Sequence, residues 1–334
     1  MKNIQFGVLL LLVLGLIANT IYEKIASKRT PSYILEEKAY QFKEKIIVEI
    51  PKELFFAGEK VPLEDVEVLS RVDREFYVNA FWHANTALVI KRAAFWLPQF
   101  EKILTDNGIP ADFKYIPIIE STLTNAISPA GATGFWQFMP DAAAETGLEV
   151  SDDVDERYNP IKSAYAAVKY FKQAHGKFKN WTLVAASYNM GMGGIEGVLA
   201  YQRVNSYYDL YLNPETSRYV MRAIAFKDIY ENPEKYGYAR VGTPAGSYAQ
   251  VPTRTVNVTT SIGDLAEWAI SQKVTYKIVK EYNPWLRTKK LTVKQGKSYV
   301  ITLPKDYKPN APLREEPLSD APLPANSVDS ATTK

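Results

Sequence analysis

Glu120 closes an uncharged run, Tyr115-Ile-Pro-Ile-Ile-Glu120-Ser121, and a Gly-rich stretch follows it, Ser128-Pro-Ala-Gly-Ala-Thr-Gly134-Phe-Trp-Gln137-Phe-Met139-Pro140. A carboxyl at the edge of an apolar run, beside a turn carrying Trp136, Gln137 and Met139, is suited to acid–base work on a sugar in a cleft. Burial disfavours the charged form of a carboxyl, so such a Glu stays protonated near neutral pH and can donate to a leaving oxygen. Composition and spacing alone favour a plainer reading, because most Glu side chains face water. In that reading Glu120 is a helix-end residue in solvent, and Trp136 and Phe138 are core.

Further along, Ser187-Tyr188-Asn189 and Glu215-Thr-Ser-Arg-Tyr219-Val220 follow Glu120-Ser121 and Gly134-Phe-Trp-Gln137 in fixed order. Each motif is weak alone, and the ordered set is far more specific. Together they resemble the soluble-lytic-transglycosylase domain of bacterial peptidoglycan lyases, of the membrane-bound murein transglycosylase D type. The resemblance covers residues 75–240, with a looser extension back to Phe55-Phe-Ala-Gly-Glu59.

That resemblance implies a mainly α protein with a lysozyme-like helical catalytic domain and Glu120 as the sole acid/base. It implies that Ser128 and Gln137 hydrogen-bond glycan beside the acid and that Met139 lines the cleft near the cleaved bond. Tyr188 is expected close to the catalytic carboxylate, with Asn189 supporting that loop. Glu215 falls on a second acidic position of the family, a peptide contact or a structural residue; a helix-start Glu favoured by the dipole explains it equally well. Gly131 and Gly134 are expected to let the chain turn where side chains would block sugar. Phe135-Trp136 stand where many relatives carry Leu-Met, a departure that bears on the shape of the adjacent subsite.

The chain has 334 residues, 46% hydrophobic and 13% aromatic, enough for one large core and a smaller second one. A formal charge of +3 gives no electrostatic argument for nucleic acid. With no Cys and only His83 and His175, thiol chemistry, disulfides and a His-rich metal site are excluded or disfavoured, and no cofactor is expected. Asp152, Asp153, Asp155 and Glu156 form an acidic cluster, read as a solvated loop with an ion pair to Arg157.

No charge interrupts Asn3–Tyr22. A membrane helix needs about 20 largely apolar residues and a signal segment about 7–15, so this stretch satisfies both. The expectation is a retained membrane anchor with the bulk of the chain in the periplasm, a cleaved signal peptide being the alternative.

The expected organisation is an anchor or signal peptide over 1–27, a lead-in over 28–74 with a strand-like run at Lys45–Ile50, a catalytic domain over 75–240, a linker over 241–252, a module over 253–306 and a disordered Pro-, Ala- and Ser-rich tail over 307–334. Helices are expected over Glu75–Leu104, from Asn159-Pro160, over Trp181–Ser187 and over Glu215–Tyr230, from apolar spacing and end signals. The β-α-α-β outline of 253–306 is similar to a LysM peptidoglycan-binding module, with Asp264-Leu265 and Asn283-Pro284 at that module's usual marks; a purely structural appendage is the alternative. The resemblance implies cleavage of the MurNAc–GlcNAc bond with formation of a 1,6-anhydroMurNAc end, and peptidoglycan glycan strands as the partner. A muramidase hydrolysing the same bond and a non-catalytic wall-binding protein are the competing readings.

Overall fold

The computed structural model describes residues 15–24, 48–239 and 251–314. Residues 15–24 are helical and belong to a unit of their own, Met1–Glu49, whereas the chain from Ile50 onward folds as one unit. Among the described residues no helix is long and apolar enough to cross a membrane. Most of the expected anchor, half of the Lys45–Ile50 run, residue 240, residues 241–250 of the linker and the tail beyond Arg314 lie outside the described residues.

A short hairpin, β1 (Phe55–Phe56) and β2 (Glu59–Lys60), precedes the helices. Ala57 and Gly58 both have positive φ, 53° and 81°, which a two-residue hairpin turn requires. The helices follow in order: α1 (Val66–Phe81), α2 (His83–Asp106), α3 (Ile116–Ser121), α4 (Pro140–Thr146), α5 (Pro160–Phe178), α6 (Trp181–Met190), α7 (Met192–Gln202) and α8 (Pro214–Glu231). The single helix expected over Glu75–Leu104 is instead two, broken at Trp82, which leaves helical geometry at φ −81°, ψ 52°. No Gly or Pro marks that break. Helix α1 begins more than two turns earlier than expected because Asp65 caps it through bonds from the Glu67 and Val68 amides. Val68, Val72, Phe76 and Ala80 then form one buried stripe.

The hairpin is part of the domain. Phe56 is fully buried with its ring 5.4 Å from that of Phe113. Glu59 reaches the start of α6, where its carboxylate accepts from Trp181 N (2.6 Å), Thr182 N (2.9 Å), Thr182 Oγ1 (2.5 Å) and Asn180 Nδ2 (2.9 Å). An anion at a helix N-terminus satisfies amides that have no helical partner and complements the dipole. Asn159, Asn180 and Asn213 cap α5, α6 and α8 by the same logic, each just before its first turn. Glu75 is fully buried on α1 and ion-paired to Arg74 and to Arg218 of α8, which fixes those two helices to each other.

The C-terminal module pairs β3 (Thr253–Val258) with β4 (Tyr299–Pro304) antiparallel, Thr253 opposite Pro304 and Val258 opposite Tyr299. Between them lie α9 (Leu265–Ser271), capped by Asp264, and α10 (Tyr276–Tyr282). Asn283 clamps the end of α10 to β4: its amide donates to Thr302 O at 2.7 Å and accepts from Thr302 N at 2.8 Å. The whole is mainly α with one small α+β module, as the sequence implies.

The acidic loop is not a solvated one. Asp153 and Asp155 are buried, and Val154 and Tyr158 belong to the same apolar core as Leu265, Val279, Leu286 and Leu303 of the module. Val154 bridges Leu286, Asp155 N donates to Trp285 O (2.9 Å) and Arg287 N donates to Asp153 O (2.9 Å). The Asp153 carboxylate accepts from Thr288 Oγ1 (2.6 Å), Thr292 Oγ1 (2.6 Å) and Thr292 N (3.1 Å). The expected ion pair of Arg157 is present, with Asp155 at 2.7 Å. The sequence reading missed the docking because a run of acids looks alike whether it meets water or a ring of hydroxyl and amide donors. The two cores are therefore joined rather than independent, and the loop is the joint.

Burial pushes the Asp153 carboxyl up, but the bonds from Thr288 and Thr292 and the charge of Lys290 outweigh it and hold it below the ordinary value of 3.8. Asp153→Ala removes that acceptor and should cost about 2 kcal/mol in chemical denaturation at pH 7. A carboxyl with a lowered folded value stabilises above its unfolded value and loses that contribution as pH falls through the folded one. The gap between parent and variant should hold at neutral pH and shrink in acid below 3.8. An unchanged unfolding midpoint at pH 7 would show that the loop does not carry the module.

Candidate active site

The backbone turns sharply just after Glu120. Helix α3 stops at Ser121, and Thr122 and Leu123 both take left-handed geometry, φ 54° and 58°. Gln137, across the Gly-rich loop, does so as well at φ 49°. Residues without glycine's freedom pay for that conformation, and such strain gathers where a site needs a shape that ordinary secondary structure does not give. The reversal is held by Ser121, whose buried hydroxyl donates to Pro117 O (3.1 Å) and Phe135 O (2.9 Å), and by Arg92 of α2, which donates to Thr122 O (3.1 Å). Helix α3 and the Gly-rich loop are thereby locked together.

Glu120 is half-buried, with its carboxyl facing α8. There the Tyr219 hydroxyl donates a short hydrogen bond to Glu120 Oε1. Burial pushes the Glu120 carboxyl up to about 7, against the opposing pull of the Tyr219 bond and the Arg222 charge, and the Glu215 charge adds to the rise. Tyr219 is fully buried, and burial, then the Glu120 charge, push its hydroxyl well above the ordinary value, so it remains a donor. The Arg222 guanidinium stands 5.6 Å from the Tyr219 ring centroid. A carboxyl poised near neutrality beside a fixed donor can give a proton and later take one.

Tyr188, expected close to the carboxylate, directs its hydroxyl to Trp136 O at 2.8 Å, and its ring packs on Phe138 and Phe171. Its hydroxyl is held well above the ordinary value by burial first and then by the charge of Glu120, which places it within electrostatic reach of that group. The direct partner is Tyr219, a residue to which the sequence reading gave no role. Its spacing carried the signal: one helical turn after Glu215, it shares that residue's face of α8.

Asn189 bridges α6 to α8, its amide donating to Glu215 Oε1 (3.0 Å) and accepting from Thr216 Oγ1 (2.7 Å). Glu215 is exposed at the first turn of α8. Gln137 donates from Nε2 to Ala126 O (3.0 Å) and Gly134 O (2.8 Å), and Ser128 Oγ accepts from Ala132 N (3.0 Å), so both shape the Gly-rich loop. Met139 is exposed at the start of α4. The reason for Gly134 differs from the expected one: a Cβ there would lie 1.9 Å from Arg157 O, so packing against the acidic loop, not room for sugar, excludes a side chain. His175 stacks on Trp181 with ring centroids 3.9 Å apart, and no acidic or His cluster able to hold a metal occurs among the described residues.

Residues 99–211 match the family model described as the transglycosylase SLT domain, and residues 254–307 match the soluble lytic transglycosylase C-terminal LysM-like domain. The chain thus carries an SLT transglycosylase domain followed by a LysM-like domain. It is 30% identical over 137 residues to the membrane-bound lytic murein transglycosylase D of Escherichia coli K12, covering 39% of this chain and 30% of that protein. It is 30% identical over 103 residues to a putative tributyltin chloride resistance protein of Alteromonas sp. strain M-1, covering 29% of this chain and 50% of that one. The chain therefore spans between 30% and 50% of the length of these curated relatives. Among solved structures, an inactive mutant of lytic transglycosylase Slt from Pseudomonas aeruginosa aligns at 21% identity and a TM-score of 0.32, over 41% of this chain and 24% of that one.

A carboxyl raised from 4.5 to about 7 opposes folding once it ionises. Folding is favoured by the neutral form below the unfolded value, and that advantage is lost as pH rises through the folded one, by up to about 3 kcal/mol for a closed-in group. Glu120→Gln should therefore be more stable than the parent at pH 8 and lose that advantage towards pH 4, as thermal melts across pH would read. Parallel stability curves for the two proteins would mean that Glu120 ionises as an exposed residue does.

Proposed function

We propose that this chain is a peptidoglycan lytic transglycosylase acting on the MurNAc–GlcNAc β-1,4 bond, with Glu120 as its single acid and base. The observation that carries this reading is the short Tyr219–Glu120 bond around a carboxyl raised to about 7. In the first step protonated Glu120 gives its proton to the glycosidic oxygen, and the bond to the anomeric carbon breaks. In the second, the carboxylate takes the proton of the muramoyl 6-hydroxyl as that oxygen closes on the anomeric carbon, forming the 1,6-anhydro ring. The nucleophile is part of the substrate, so its effective concentration is high and no water is consumed.

Tyr219 steadies the carboxylate between the steps. Burial raises the carboxyl, the Tyr219 bond and then the Arg222 charge oppose that rise, and the Glu215 charge adds to it. In this reading Gln137 and Ser128 give the Gly-rich loop the shape against which glycan lies, Met139 forms its exposed lip, and Tyr188 closes the pocket behind the carboxyl. The Asn189–Glu215 pair borders the other side, where a muropeptide amine could meet the Glu215 carboxylate.

A muramidase needs a second carboxylate to activate water. Asp153, Asp155 and Glu156 are held by the module, Arg157 and Lys162. Glu215 alone sends its charge to Glu120, and this favours the hydrolase only if water enters between them. The proposed location is the periplasm, with the Asn3–Tyr22 segment as the anchor; membrane fractions resisting carbonate extraction support it, and a mature N-terminus near Asn19 overturns the anchor.

Digestion of purified sacculi in heavy-oxygen water, followed by mass spectrometry, should give unlabelled 1,6-anhydroMurNAc ends. Labelled reducing ends as the main product would establish the hydrolase instead. Glu120→Gln should retain glycan binding and lose turnover by about 1,000-fold or more. Activity within tenfold of the parent would remove Glu120 from the chemistry.

A further inference from the structure

Between the helical domain and the C-terminal module lies a cleft of about 800 Å³ that no step of the proposed reaction uses. Its helical wall is Phe95, Trp96 and Gln99 on α2, and the module's wall is Tyr282, Trp285 and Val300. The N-terminal turn of α5 forms the floor. Volumes of a few hundred to about 1,000 Å³, aromatic lining with a few polar groups, and a position at a domain junction are the usual marks of a ligand site.

Three features say what would fit. Among the described residues Lys162 is the single charged residue lining the cleft, and Glu156 pairs with it. A stem peptide carries free carboxylates and would meet no open cation there, whereas an amino-sugar backbone is uncharged and offers flat C–H faces to aromatic rings. Val300 is 56% exposed on β4 between the buried Tyr299 and Ile301, so the strand turns an apolar side chain out into the cleft. The helical wall is also continuous with the candidate active site: Trp96 lies 5.0 Å from Phe135, whose carbonyl accepts from Ser121, and Arg92, one turn before Trp96, holds Thr122 O.

We propose that this interdomain cleft is a second glycan-binding site, which takes the uncharged sugar backbone of the strand that the Glu120 site cleaves. It rests on the reading of the chain as an enzyme of peptidoglycan, and it makes the junction itself, not the module alone, the element that holds long strands. The two walls are kept at fixed separation by the Asp153 joint, so the site is formed before the strand arrives.

The test uses the full chain with Glu120→Gln, so that strands bind without being cut. Val300→Arg projects a long charged side chain into the cleft from an exposed position, and Tyr282→Ala removes one ring from its wall. Long glycan strands, peptide-free and peptide-bearing, and a peptide-free tetrasaccharide are titrated calorimetrically. Both variants should weaken binding of long strands tenfold or more and leave the tetrasaccharide and the melting temperature unchanged. With Glu120 intact they should leave turnover of the tetrasaccharide at the parent's rate. Unchanged affinity for long strands overturns the proposal, as does an equal loss on the tetrasaccharide. A loss confined to peptide-bearing strands also overturns it, by making the occupant a peptide. Should the parent release no anhydro ends from sacculi, the catalytic reading fails on that assay while the titration still decides the cleft.

Discussion

A carboxyl shielded enough to keep its proton near neutrality, yet bonded well enough to lose it, is the constraint around which this fold is arranged. Glu120 meets it through one partner, the Tyr219 hydroxyl, supplied by a helix far along the chain. The contact exists only if α3 and α8 stay in register. Asn189 ties α8 to α6, the Tyr207 hydroxyl bonds the carbonyls of Thr216 and Ser217 (3.0 and 2.6 Å), and Glu75 grips Arg218 from α1. The Glu59 carboxylate on the hairpin in turn sets the start of α6. The strained pair Thr122-Leu123 is the cost of ending α3 at the required place, and packing on every side carries it.

Two buried carboxyls in one chain show how donor count decides charge. Asp153 receives three hydrogen bonds from Thr288 and Thr292, and its carboxyl is held below the ordinary value despite burial. Glu120 receives one from Tyr219, and burial prevails, raising it to about 7. Desolvation acts on both in the same direction but prevails only at Glu120, where it outweighs a single hydrogen bond; at Asp153 three bonds and the Lys290 charge outweigh it. The first arrangement makes a permanent anion fit for a joint. The second makes a group that changes charge within reach of physiological pH.

Much of this was legible in the sequence, for particular reasons. The helix that begins at Asn159 announces itself by a capping side chain and a proline in the first turn, signals that tertiary packing does not erase; Asn213-Pro214 carry the same signal two residues before the expected start at Glu215. Glu120 stands out only through the ordered motifs that carry the resemblance, since composition and spacing alone make it a helix-end residue in solvent. Tyr219 was missed although it falls one helical turn after Glu215, because among twenty-two tyrosines that spacing alone does not say which hydroxyl turns inward. The break at Trp82 carries no Gly or Pro, the residues that mark a helix end in sequence. Gly134 was recognised as necessary, but its neighbour, Arg157 O, comes from a different segment and is visible only in three dimensions.

The acidic loop shows how the same uncertainty reaches function. As a solvated run it would have been a candidate for a second catalytic carboxylate and would have left the module on a tether. A tethered module raises the local concentration of substrate without fixing its direction. A module held through Asp153, the Val154–Leu286 bridge and Arg287 resting 3.9 Å from the Tyr158 ring centroid presents its surface at one angle to the helical domain. On the proposed reading, whatever a docked module binds enters in a register set by the joint, and that register governs where along a polymer the Glu120 carboxyl acts. The residues that set position along the substrate are then those of the loop between α4 and α5, although none of them touches the bond that breaks.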